Sequence, residues 1–223
     1  MTNSAVTIFF DVNETLSDLA PVADAFDHVG AGRGLAATWF STILRDGFAL
    51  TAVGSPAHFL DIAATNARGV LRSRQLNRSL DESVDAVLTA FASVHLHDDV
   101  APGIRSLNAA GHRLFTLSNG PTSTAERLFA EAGITKSFEG VLSVEGHSAW
   151  KPARDAYDDA LARTGTGTPA YLVAVHPWDI HGASAAGLST VWVNRSGATY
   201  PEHSHTPTMT VHTIGELSGR LES

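Results

Sequence analysis

Ala5-Val-Thr-Ile-Phe-Phe10 runs directly into Asp11-Val-Asn-Glu-Thr15-Leu16. The first six residues form a continuous apolar run, β-branched and aromatic, with no polar alternation. That is the pattern of a strand covered on both faces, hence a central strand of a parallel sheet. Similar runs recur at His112-Arg-Leu-Phe-Thr-Leu117, Ala170-Tyr-Leu-Val-Ala-Val175 and Thr190-Val-Trp-Val193, with a weaker one from Phe138 to Val144. Helical patterns lie between them, at Thr122 to Ala132, Ala153 to Arg163 and Asp179 to Ala186, with Gly133, Gly165 and Gly187 where helix C-caps want a glycine. Strands alternating with helices at this spacing predict a doubly wound α/β fold with a parallel sheet.

Residues 21–99 break the rhythm. They hold no strand-like run but several helical ones, around residues 35–50, 56–76 and 81–94. The expected organisation is therefore an α/β core of residues 1–18 and 98–223, with residues 19–97 as a helical cap inserted after the first strand. A polar loop spans residues 195–207 before a last short strand and helix near residues 210–221, and Gly165-Thr-Gly-Thr168 is expected to be a turn.

Composition narrows the function classes. The 223 residues suit one domain with a modest insertion, and 43% hydrophobic against 17% charged is globular rather than disordered. A net charge of -8 and a pI near 5.7 give no basic footprint for nucleic acid. The absence of cysteine excludes disulfides, thiolate zinc sites and a cysteine nucleophile. The N-terminal apolar run stops at Asp11, too soon for a signal peptide or a membrane span. A cytoplasmic protein without membrane or nucleic-acid partners is expected.

In an open parallel sheet, ligands bind beyond the carboxyl ends of the strands. The residues placed there are Asp11, then Ser118-Asn119-Gly120, then His176-Pro-Trp-Asp179, with Lys151 ahead of the helix near Ala153. Each has a structural alternative as a turn former or a helix cap. Their joint occurrence favours a site. Lys151 is one of only two lysines against thirteen arginines, and a compact ammonium among carboxylates differs chemically from a guanidinium fork.

Four segments, Asp11 to Leu16, Leu117-Ser118-Asn119-Gly120, Lys151-Pro152 with Tyr157, and Trp178-Asp179 followed by Gly182-Ala183, resemble in order the motifs of the haloacid dehalogenase superfamily. The likeness is greatest to the type II 2-haloacid dehalogenases and covers nearly the whole chain. It implies that Asp11 is a carboxylate nucleophile that forms an ester with the substrate, which water then hydrolyses. By the same resemblance, Ser118 and Lys151 hold the substrate carboxylate or orient Asp11, and Asn119 donates to a leaving halide. Thr15 fixes the nucleophile loop, Tyr157 supports the lysine, and Asp179 pairs with Lys151 or helps to activate water. Trp178 is expected beside the substrate. The implied partners are a small carboxylic acid and a second copy of the chain.

Most members of the superfamily are magnesium phosphatases, with a second Asp two residues after the nucleophile and an acid four residues before the Asp179 position. Asn13 and Val175 stand there, so no metal or other cofactor is expected. The type II enzymes carry a halide-binding arginine on an early cap helix. Phe40 occupies that position, and Arg45, further along, is the candidate replacement. Where the family has asparagine in the fourth motif this chain has His176, an imidazole suited to activating water near neutral pH. The expectation is a hydrolytic dehalogenase of small 2-haloalkanoates. Hydrolysis of another carbon–heteroatom bond, phosphoester hydrolysis and a catalytically silent binding protein are the alternatives. Gly30-Ala-Gly32-Arg-Gly34 follows no strand and is expected to be a cap turn. His95 to Asp99 is expected to be the hinge from cap to core, and His203-Ser-His205 a surface loop.

Overall fold

The computed structural model describes residues 5–55, 57–146, 149–165 and 169–221. Pro56, at the start of one expected helical run, and Thr166 to Thr168 of the expected turn lie outside them. Five expected strands form: β1 (Thr7–Phe10), β4 (Arg113–Ser118), β5 (Gly140–Ser143), β6 (Ala170–Ala174) and β7 (Ser189–Val193), and the last short strand is β8 (Met209–Val211). They make one parallel sheet in the order β5-β4-β1-β6-β7-β8. The intervening helices are α5 (Val100–Ala109), α6 (Thr122–Glu131), α7 (Arg154–Thr164) and α8 (Pro177–Ala185), with α9 (Gly215–Leu221) at the end.

β1 sits mid-sheet, paired on one side with β4 (Phe9 opposite Phe115) and on the other with β6 (Phe9 opposite Leu172). Strand order reverses about β1, so the crevice at its carboxyl end lies between the loops leaving β4 and β6. All four β1 residues are buried. Phe9 joins one apolar cluster, while Ile8 and Phe10 join the other, which contains α5 and α9 residues such as Ile104 and Leu217.

The insertion is four helices: α1 (Ala20–His28), α2 (Leu35–Ala52), α3 (Phe59–Leu71) and α4 (Leu80–Ala92). α4 opens with a capping box, in which Ser79 Oγ accepts from the Glu82 backbone and the Glu82 carboxylate from the Ser79 backbone. Aromatic contacts bind the insertion to the core. Phe59 stacks on Trp150 and on Phe91, each with centroids 5.6 Å apart. Gly47 is required by this packing, since a Cβ there would lie under 3.0 Å from three ring carbons of Trp150. Gly30 and Gly32, with φ of 87° and 85°, form the turn between α1 and α2, as expected.

Three elements depart from the expected organisation. Residues 21–99 do contain a strand, β3 (His95–Leu96), which pairs antiparallel with β2 (Ser17–Asp18). The chain thus leaves for the insertion and returns from it side by side. Two-residue strands are too short to show any alternation. The helices α1 and α5 also escape the apolar patterns. α5 carries Pro102 and Gly103 in its first half, and Gly103 allows close approach to the loop before α9, where a Cβ would come within 2.9 Å of Ile214 Cγ2. No described helix is long and apolar enough to cross a membrane.

Candidate active site

Asp11 follows β1 directly, its N–H donating to Val173 O at 3.0 Å, so β6 sets the backbone of this buried aspartate. The loop then turns tightly, with Leu16 N and Ser17 N both donating to Val12 O. Within the turn, Glu14 has φ of 61°, the left-handed region that a residue with a Cβ seldom adopts. Thr15 is fully buried; its hydroxyl donates to Asp11 Oδ2 at 2.6 Å and accepts from Val175 N at 3.1 Å.

Lys151 enters from the loop before α7 and is fully buried. Its Nζ donates to Asp11 Oδ1 at 3.0 Å and to Asp179 Oδ2 at 2.5 Å. Tyr157 donates to the other Asp179 oxygen, Oδ1, at 2.6 Å, so it supports the lysine through Asp179 rather than by touching it. Gly182 makes room for that contact, because a Cβ would lie 2.7 Å from the tyrosine hydroxyl. Asn119 clamps the lysine backbone, accepting from Lys151 N at 2.9 Å and donating to Lys151 O at 3.1 Å. Ser118 Oγ accepts from Gly120 N at 3.0 Å, and among the described residues nothing takes the hydroxyl proton.

His176, at the N-cap of α8, sits between two carboxylates. Its Nδ1 is 3.1 Å from Asp11 Oδ2 and its Nε2 is 2.9 Å from Glu14 Oε2. The ring is flanked by Trp178 at 5.0 Å and Phe40 at 6.1 Å, both nearly parallel to it. Trp178 also faces Lys151, whose Nζ lies 5.8 Å from the ring centroid.

These contacts set the charges. Burial disfavours the Asp11 carboxylate, yet Lys151, His176 and Thr15 outweigh burial and hold its pKa well below the ordinary range. Burial likewise opposes the Lys151 charge, and Asp11 and Asp179 reverse that, leaving the ammonium firmly protonated. The Asp179 carboxyl is pushed up by burial and by the Asp11 charge, against the pull of Lys151. For His176 burial is overcome by its bonds to Asp11 and Glu14, and the pKa rises to about 10. The contacts to Asp11 and Glu14 thus favour the protonated ring over the neutral imidazole that the sequence suggests.

The structure brings together Asp11, Thr15, Phe40, Ser118, Asn119, Lys151, Tyr157, His176, Trp178 and Asp179, and leaves Arg45 out. Arg45 is 68% exposed and pairs with its neighbour Asp46 at 2.7 Å. Five residues along a helix turn through about 140°, so an inward Phe40 places Arg45 outward. Glu14 is the member that sequence reasoning missed; the only available signal was a carboxylate inside the nucleophile motif. Beside the site lies a cavity of about 610 Å³ walled by Trp39, Phe40, His176, Trp192, Glu14 and Arg195. The guanidinium of Arg195 holds the loop that follows Asp11, donating to Thr15 O at 2.9 Å and to Asp99 at 2.8 Å. Among the described residues no group of three or more His, Asp or Glu side chains is arranged to hold a metal ion.

A family model described as haloacid dehalogenase-like hydrolase matches residues 6–187. Haloacetate dehalogenase H-2 of Moraxella sp. (strain B) is 31% identical over 208 residues, 92% of either chain. The (S)-2-haloacid dehalogenase H-109 of Pseudomonas putida is 28% identical over 220 residues, 96% of either chain. The L-2-haloacid dehalogenase structure from Xanthobacter autotrophicus with chloropropionic acid covalently bound has a TM-score of 0.84 at 24% identity, covering 97% of this chain and 98% of that one, a likeness of fold. The motif order, the sheet built around β1 and these relatives agree: the chain is a hydrolase and belongs to the haloacid dehalogenase-like family.

Proposed function

We propose that this hydrolase cleaves the carbon–halogen bond of a small 2-haloalkanoic acid, without a metal ion, through an ester between Asp11 and the substrate C2. The observation that carries this reading is the buried Lys151 ammonium between Asp11 and Asp179. It keeps Asp11 ionised in a site from which water is largely excluded, which is the state a carboxylate needs to attack carbon. In the first step an Asp11 oxygen bonds to C2 while the carbon–halogen bond breaks and the halide leaves with the bonding pair. In the second, water adds to the ester carbonyl carbon, the bond from that carbon to the substrate oxygen breaks, and a 2-hydroxy acid departs. The Ser118 hydroxyl and the Lys151 charge suit the substrate carboxylate. Phe40 and Trp178 supply apolar walls.

The residues present do not fit a divalent cation. Both oxygens of Asp11 are bonded by Lys151, Thr15 and His176, and both oxygens of Asp179 by Lys151 and Tyr157. A hard cation wants about six oxygens, and Asn13 and Val175 replace the acids that would add to the set. The named relatives act on haloacetate and (S)-2-haloacids, and the covalently bound chloropropionic acid of the Xanthobacter enzyme is in keeping with a covalent route.

The test is halide release from 2-chloro-, 2-bromo- and 2-fluoroacids in the presence of EDTA. Release is expected from the native chain and not from Asp11→Asn, and a single turnover in heavy-oxygen water should leave label in the Asp11 peptide. Magnesium-dependent phosphate release from p-nitrophenyl phosphate with no halide release overturns the reading.

A further inference from the structure

Both ring nitrogens of His176 face carboxylate oxygens, Nδ1 toward Asp11 and Nε2 toward Glu14. A neutral imidazole has one donor and one acceptor, so two carboxylate partners require both nitrogens to be protonated. This arrangement lasts only while Asp11 is a free carboxylate. Esterification removes one of the two anions and leaves Glu14 alone against the ring. Accepting the Asp11 ester as the intermediate, we propose that His176, held at Nε2 by Glu14, is a base switched by the charge on Asp11: it is inert as an imidazolium before the ester forms and activates water once it has formed.

Other groups limit the alternatives. Asp179 cannot take a proton from water, since it is fully buried and both its oxygens are engaged by Lys151 and Tyr157. Lys151, facing Asp11 from the loop before α7, is a firmly protonated cation. Arg195 and His97 reach the same loop through backbone carbonyls only, Arg195 at Thr15 O and His97 Nε2 at Glu14 O, 3.1 Å away. Phe40 and Trp178, on the two flanking helices, are uncharged. His176 itself lines the 610 Å³ cavity, as does Glu14, whose side chain is 43% exposed.

The protons balance. Attack by Asp11 expels halide, and the imidazolium, now faced by Glu14 alone, gives its Nδ1 proton to water from the cavity that His176 lines. Neutral His176 then keeps N–H at Nε2, held by Glu14, and presents the Nδ1 lone pair to the ester. A water bonds to the ester carbonyl carbon as Nδ1 takes one of its protons. Collapse of the adduct passes that proton to the departing substrate oxygen. The carboxyl that remains gives its proton to Nδ1, restoring the carboxylate and the imidazolium. One halide and one proton leave for each substrate and water consumed.

Glu14 is a positioning residue in this scheme, and the left-handed backbone that it tolerates is what aims its carboxylate at Nε2. General-base assistance contributes about 10²-fold or more. Glu14→Gln and Glu14→Gly are both expected to release one halide per site in a burst and then to turn over about 100-fold more slowly than the native enzyme, with the ester on the Asp11 peptide visible by mass spectrometry. Glu14→Gly relieves the backbone strain, so slowing in both variants separates the carboxylate from its loop. Glu14→Asp should recover part of the second step. If burst and steady-state rates match the native enzyme in both variants, the pair has no such role. If neither the variants nor the native enzyme give a burst or an adduct, it is the Asp11 ester that fails.

Discussion

Lys151→Met keeps the length and much of the apolar stem of the side chain but deletes the ammonium between two carboxylates that are at most 5% exposed. Removing one partner of a buried ion pair costs about 3–5 kcal/mol, because the charge left behind is uncompensated. Here two carboxylates are left, Asp179 without a cation and Asp11 with only His176. The cheapest relief is protonation of Asp179, whose pKa is already raised in the native site by burial and by Asp11. A group whose folded pKa lies above its unfolded value adds stability below the unfolded pKa and loses it as pH rises through the folded one. The variant should therefore be penalised most at high pH. Each pH unit recovers at most about 1.4 kcal/mol per proton, so three units can recover up to about 4 kcal/mol, most of the loss. The native chain should behave oppositely at the acid end, since the lowered Asp11 pKa gives stability that is lost only in strong acid. Urea unfolding followed by tryptophan fluorescence at pH 5, 6, 7 and 8 measures the gap between the two proteins. A gap below about 1 kcal/mol at pH 8, or one that does not shrink at pH 5, refutes the account of Lys151 as the charge that makes this buried site tolerable.

Two further outcomes are expected. Gly47→Ala forces a methyl into the Trp150 ring and should lower stability by about 1–3 kcal/mol, with a change in tryptophan emission, because overpacking at a rigid aromatic contact cannot relax cheaply; a melting temperature equal to the native value argues against close contact between α2 and the core. Arg45→Ala should leave halide release within about twofold of native, the size of effect expected on losing an exposed ion pair, whereas a large rise in KM would place that arginine at the substrate after all.

The parallel core was legible because its strands are buried on both faces and so appear as uninterrupted apolar runs, each followed within one or two residues by a polar, reactive side chain. That pattern located Asp11, Ser118 and His176 without any knowledge of pairing, and Asp179 lies three residues beyond His176. What escaped depends on direction rather than on identity. The turn that puts Glu14 in the left-handed region is not encoded by a glycine, so nothing local announced it, and its carboxylate acquires meaning only beside His176, 162 positions away. Arg45 was misplaced because spacing along a helix does not reveal which face meets the core. The surroundings of His176 escaped for the same reason as Glu14: the second carboxylate beside its ring lies 162 positions away in the chain.

Phe40 and His176, two positions at which the resemblance read from the sequence implies other residues, lie side by side in the structure. Phe40 stands where the cap arginine is expected, and its ring lies nearly parallel to that of His176, which stands where the family has asparagine; His176 in turn is bonded by Glu14. A positive charge beside Asp11 comes from the core, on His176 held at the N-cap of α8. Every ion pair at the site joins residues on the core side of the β2–β3 crossing, while the insertion contributes rings, Trp39 and Phe40 at the cavity and Phe59 against Trp150. In this chain the charges around Asp11 are thus set within the core, and the insertion adds apolar walls beside them.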